Sequence, residues 1–147
     1  MQSSNIQDLL KRRNTLFDAA LEKGQVRIMR LKNIPITIDG YSHKDKNLFD
    51  LFLDHQDDGL FCDYVREQSI DRANQLLKAK FVVAFIADGK FSRLVGVYEI
   101  LGKDSQRSSD KKKVFLSIKP YHEFDDLSGK VTVDWSKRRK CTKWLKY

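Results

Sequence analysis

The sequence predicts an α+β domain: a small curved sheet or partly closed β-barrel with several flanking helices. Three observations carry that reading. Apolar residues in the first half recur at helical spacings, the second half switches to strand-like alternation, and 147 residues suffice for one hydrophobic core. A helical part, residues 1–79, thus leads into a strand-rich part, residues 80–147, within a single domain. Few, short strands favour strong curvature or partial closure over a broad flat sheet.

Taken in order, Ile6, Leu9, Leu10, Phe17, Ala20 and Leu21 fall at three- and four-residue spacings. They predict one amphipathic helix from Ile6 to Lys23, with Ser4 or Asn5 as N-cap and Gly24 just past its end. Val26, Ile28 and Leu31 follow at strand-like spacing, then Ile34, Ile36 and Ile38 alternate around Pro35 until Gly40 turns the chain. Lys46 to Leu53 reads as a short helix, HQDDG as a turn, and Leu60 to Val65 as the start of another helical turn. Ser69 can cap a helix through Ile70, Ala73, Leu76 and Leu77.

Phe81 to Ala87 is an almost continuous apolar run rich in strand formers, Asp88-Gly89 supplies a hairpin turn, and Leu94 to Leu101 returns as its partner. The polar segment from Gly102 to Lys113 reads as a loop. Val114, Leu116 and Ile118 alternate as a third strand ending at Pro120; Val131, Val133 and Trp135 form a fourth. Ser136 then caps an expected terminal basic helix containing Trp144 and Leu145.

Charge is distributed unevenly. Residues 130–147 hold seven basic side chains and one acidic one, a local net of +6, whereas the whole chain carries +8. Both tryptophans, Trp135 and Trp144, lie in this stretch. Cations that neutralise phosphates beside rings that stack on bases point to nucleic acid as the first partner to consider. No apolar run approaches the roughly 20 residues that span a bilayer, and the N-terminus lacks the apolar core of a secretory signal. Cys62 and Cys141 belong to no CxxC pair or Cys/His cluster, so neither a disulfide framework nor a zinc site is expected and the reducing cytoplasm is the default location.

Catalytic motifs are poorly represented. Gly96-Val97-Tyr98 has the form of the first half of the GIY-YIG nuclease signature, but the second tripeptide is missing at the required spacing. Gly96 and Tyr98 read instead as residues of a strand. His55 with Asp54, Asp57 and Asp58 reads as a solvated turn, because no second ligand group accompanies it. Glu123, Asp125 and Asp126 form another acidic loop, and Glu99 lacks the partner carboxylates of a restriction-type site. No GxSxG, P-loop or GxGxxG string occurs. No enzymatic activity, metal or cofactor is therefore expected.

The binding reading rests on three groups. Lys137, Arg138, Arg139 and Lys140 are consecutive and would grip phosphates; the alternative is a solvated helix end. Trp135 and Trp144 would stack on bases or, alternatively, pack the terminal helix onto the sheet. Phe91, Arg93 and Tyr98 would flank a cavity mouth or simply pack a hairpin.

The ordered strings LFDLF (48–52), Phe61, Tyr64 and Gln68, KFVVAFI (80–86), RLVGVYEI (93–100), GKVTVDW (129–135) and KWL (143–145) resemble a known pattern. It is that of the PUA-like accessory domain found ahead of the nuclease in bacterial GIY-YIG or HNH restriction-type proteins. The strings span about two thirds of the chain in the family's order; Thr142-Lys143 stands where that family usually has a serine before the final tryptophan. The resemblance implies a PUA-like β-barrel and a reader of a modified base, DNA rather than RNA, that targets a linked nuclease. No nuclease follows in this sequence, which makes a domain cut from a longer protein an expectation.

On that reading Tyr98, Trp135 and Trp144 are the pocket aromatics, and Tyr64 and Gln68, one helical turn apart, present an edge-reading amide. Arg93, Lys137, Arg138 and Arg139 would hold the backbone, with Lys140 completing the basic run. The alternative is a structural or protein-interaction domain whose basic C-terminal helix docks an acidic partner or the rest of its own chain. A small nuclease with an unrecognised site is the third possibility.

Overall fold

The apolar run at Phe81 becomes the central strand because it is covered on both faces, which removes any need for a polar side. The computed structural model describes residues 6–31, 37–38, 41–42, 48–54, 65–88, 91–104, 113–134 and 142–144. Helices α1 (Ile6–Leu10) and α2 (Thr15–Glu22) precede β1 (Val26–Leu31), and the small hairpin of β2 (Thr37–Ile38) and β3 (Tyr41–Ser42) follows. Then come α3 (Leu48–Asp54), β4 (Glu67–Ser69), α4 (Ile70–Leu76), β5 (Phe81–Asp88), β6 (Phe91–Lys103) and β7 (Lys113–Pro120). A 3-10 helix (His122–Leu127), β8 (Thr132–Asp134) and β9 (Thr142–Trp144) complete the described chain.

The main sheet runs β4-β7-β6-β5-β1-β9, with β8 also on β6. It is mixed: β1 and β5 are parallel and every other pairing is antiparallel. The architecture is α+β, and the sheet curls strongly into a half-barrel. Two irregularities in β6 contribute to the curl, one beside Val95 and one beside Leu101, since an extra residue bends the strand and raises its twist. The outer edge of β6 is served in succession by one stretch of chain. β7 pairs with its C-terminal half, Tyr121 N–H donates to the Val97 carbonyl at 2.8 Å, and Gly129 N–H donates to the Leu94 carbonyl at 2.7 Å. β8 then takes the first residues. The segment 113–134 is in effect one antiparallel partner interrupted by the 3-10 helix.

Alternation sorts the core into two layers. Val82, Ala84 and Ile86 of β5 pack with Met29, Leu31, Leu51, Phe52, Ala73 and Leu76 beneath α3 and α4. Phe81, Val83 and Phe85 face the other way, onto Ile6, Leu10, Phe17, Leu21 and Phe124 of α1, α2 and the 3-10 helix. The Phe17 ring lies 5.3 Å from Phe81 and 4.9 Å, edge-on, from Phe124.

Several expectations are corrected. The single helix over 6–23 is two helices, because Arg12 takes a left-handed φ of 64° and Asn14 adopts extended backbone to cap α2. The Asn14 Oδ1 accepts from Phe17 N–H at 2.9 Å, a local bond that competes with helix continuation. Gly24 does close α2: Gln25 N–H donates to Ala20 O and Gly24 N–H to Leu21 O, the two bonds of a Schellman motif. Ser69 stands at the N-cap of α4, yet its hydroxyl makes no capping bond. β4, absent from the sequence reading, pairs with β7. The expected terminal helix is also corrected at Trp144, which lies in β9 paired with β1. The expected N-caps Ser4 and Asn5, the HQDDG turn and Trp135 lie outside the described residues.

Candidate nucleic-acid interface

Arg93 is placed by β6 between β5 and β8, opposite Ile86 and Thr132. Its guanidinium carbon sits 3.9 Å from the centroid of the Phe49 ring on α3, and Nη1 donates to the Gly129 carbonyl at 3.3 Å. Phe49 stacks on Phe52, and Phe52 packs against Gly129 so closely that a Cβ there would lie 2.9 Å from Cε1. A half-buried guanidinium held over a ring and steered by a carbonyl is fixed in direction before any ligand arrives. Part of its donor capacity is already spent within the protein.

Tyr98 lies on the same face as Arg93 despite its odd separation, because the bulge beside Val95 resets the alternation. It is 6% exposed and belongs to the core layer under α3 and α4, lying against Gly96. The expectation that Tyr98 opens onto a cavity mouth is thus replaced by core packing. Gln68 is corrected as well. It lies in β4 rather than on a helix, is 4% exposed, and its Nε2 donates to the Val65 carbonyl at 2.7 Å. Tyr64, expected one helical turn before it, lies outside the described residues.

Trp144 occupies the register position opposite Arg27. Arg27 stands opposite Val82, which stands opposite Tyr98. These four positions form one row across β9, β1, β5 and β6, with Arg27 and Val82 between the two aromatic residues. At about 4.8 Å per strand the row spans roughly 14 Å, more than the thickness of one inserted base. The residue that sequence reasoning missed is Arg27, one polar position in the run VRIMRL. It is 5% exposed, its Nη2 donates to Gln75 Oε1 on α4, and burial pulls its guanidinium below the ordinary range. The signal was a cation inside a strand that otherwise reads as buried.

Lys137, Arg138, Arg139 and Lys140 lie outside the described residues, but the strands on either side are fixed. β8 ends at Asp134, opposite Phe91 at the start of β6; β9 begins at Thr142, opposite Met29 of β1. The basic run therefore joins two strands separated in the sheet by β6, β5 and β1.

Among the described residues no group of three or more His, Cys, Asp and Glu side chains could hold a metal ion. His122 Nδ1 lies 2.8 Å from Asp125 Oδ2 on the exposed 3-10 helix. Among the described residues no helix is long and apolar enough to cross a membrane. No protein-family model, curated protein or solved structure matches the chain.

Proposed function

We propose that this chain is a non-catalytic nucleic-acid-binding module that holds the phosphate backbone through Lys137, Arg138, Arg139 and Lys140. The observation that carries the reading is the concentration of +6 of the chain's +8 charge in residues 130–147. Clustered cations gain affinity by releasing condensed counterions, which isolated surface lysines do poorly. Arg93, preset by Phe49 and Gly129, adds a directed contact on the sheet. DNA is the expected target, and the PUA-like resemblance suggests a modified base as the cue and a linked nuclease as the beneficiary. The described part of the suggested pocket, Tyr98 and Gln68, is packed inward, so binding rests on backbone grip.

The test is duplex binding measured across a salt series. The Arg138→Ala/Arg139→Ala double variant should bind more weakly, and the slope of log affinity against log salt should fall in magnitude by about two, roughly 0.9 per lost phosphate contact. Unchanged affinity and slope would remove the basic run from the interface. An array of modified and unmodified duplexes at fixed salt separates base reading from backbone grip: equal affinity throughout limits the module to the backbone. Binding of heparin or an acidic peptide as tightly as duplex would instead favour a protein-docking role.

A further inference from the structure

The parallel pairing of β1 with β5 brings two helix ends together. Gln25, just before β1, lies beside Lys80, just before β5, and Lys80 N–H donates to the Gln25 carbonyl at 2.7 Å. α2 packs on one face of the sheet and α4 on the other, and each ends a few residues before its strand. Both C-termini therefore arrive at the same end of the sheet. With them come Lys23, the C-cap of α2, and Lys78, which follows the C-cap of α4. Lys80 stands at the strand entrance itself.

All three lysines are exposed, and among the described residues none makes an ion pair or a side-chain hydrogen bond. Elsewhere Lys11 is held by Asp8, Arg13 by Asp126, Arg27 by Gln75 and Lys119 by Glu99. Glu22, the neighbour of Lys23 in sequence, pairs with none of the three. A cation just past a helix end offsets the helix dipole, but that effect is confined to the last turn and does not call for Lys80. A phosphodiester backbone laid across three cations at one place sheds its own condensed counterions, which is the main source of its affinity. We propose that Lys23, Lys78 and Lys80 form a second backbone-binding surface for nucleic acid, at the shared end of α2 and α4 and in addition to the C-terminal basic run. The proposal rests on the nucleic-acid reading above.

The triple variant Lys23→Gln/Lys78→Gln/Lys80→Gln removes three charges at exposed positions. It should bind a short DNA duplex about 10-fold more weakly than the parent at fixed salt. The slope of log affinity against log salt should fall in magnitude by up to about 2.7, roughly 0.9 for each of three contacts. A control, Lys11→Gln/Arg12→Gln/Arg72→Gln, removes the same number of charges elsewhere and should weaken binding no more than about 2-fold. Equal losses in the two triple variants assign the effect to net charge and overturn the surface. A loss of acidic-peptide binding with duplex binding unchanged overturns it in favour of a protein partner.

A second measurement needs no variant. Saturating duplex should suppress acetylation of the Lys23, Lys78 and Lys80 amines by a small reagent while Lys11 keeps its rate. Unprotected amines, with binding confirmed in the same sample, overturn the proposal even if the triple variant fails to fold. Failure of the parent chain to bind duplex at low salt defeats the underlying nucleic-acid reading instead, so the two failures are distinguishable.

Discussion

Gly129 and Gly24 both hold left-handed backbone, at φ +74° and +69°, but their surroundings differ. A Cβ on Gly24 meets nothing within 4 Å, whereas one on Gly129 would press into the Phe52 ring at 2.9 Å. Gly24→Ala should therefore cost about 1 kcal/mol, the conformational term alone. Gly129→Ala should cost about 2–4 kcal/mol, because overpacking adds to it. Urea midpoints at constant slope would show the difference. Asn14 is a second decisive residue: its Oδ1 accepts from Phe17 N–H and, at 2.7 Å, from the Tyr121 hydroxyl. Asn14→Ala should cost about 1–2 kcal/mol and Tyr121→Phe about 1 kcal/mol, with the double variant below the sum, as thermal melts would reveal. Burial raises the Tyr121 phenol, nearby Glu123 and Glu99 raise it further, and the Asn14 bond opposes them. The raised phenol contributes stability in full below its ordinary value near 10 and loses it as pH climbs through the higher folded value. In Tyr121→Phe that alkaline loss should vanish.

At the scale of elements, the strands with strong alternation or continuous apolar runs were legible. β5 and β7 lie where the sequence places them, and β5 and β6 form the expected hairpin, but Asp88 pairs with Phe91, so the two linking residues are 89 and 90 rather than Asp88-Gly89. The elements that escaped are short ones whose conformation is conferred by partners. β4 and β9 have three residues each and exist as strands because β7 and β1 offer open edges. Ser136 at an apparent cap and Leu145 near Trp144 satisfied a helical pattern locally, but strand pairing decided the outcome at 142–144. The break between α1 and α2 combines the local Asn14 cap with a tertiary clasp. Arg13 donates to the Asp126 carboxylate and lies 5.2 Å from the Phe124 centroid, clasping the corner to the 3-10 helix. That hydrogen bond holds the Asp126 carboxyl below its usual range. The clasp therefore contributes stability above the ordinary carboxylate pKa and loses it as pH falls through the depressed folded value. Arg13→Ala should lower the neutral plateau of a pH–stability profile slightly, flatten the acid limb by that same small amount and leave the acid end unchanged, as befits an exposed pair.

For the whole molecule, one sheet joins the two apolar layers, so β5 cannot be lost from one without the other. Phe85→Ala, on the face of α1 and α2, should cost about 3–5 kcal/mol. Secondary-structure and aromatic signals should still fall in one transition. Separate transitions would show that the layers unfold independently. Binding is the other property of this scale: affinity for duplex should fall steeply with salt, since the net +8 charge is concentrated near the C-terminus. Of the candidate site, the charge cluster was legible because charge is local to sequence. The fates of Tyr98 and Gln68 were not, because a bulge and an edge pairing decide which way they face.

The sequence by itself determined the α+β class, the central hairpin, the Schellman stop at Gly24 and the basic concentration beyond Lys130. Each follows from local chemistry: periodicity, turn residues and the sign of side chains. Only the tertiary structure decided that β1 lies between β5 and β9, that Arg27 is buried beneath α4, and that Trp144 is in a strand. Those outcomes depend on which distant edge a segment meets, and backbone hydrogen bonds to a partner outweigh the weak preferences of three or four residues.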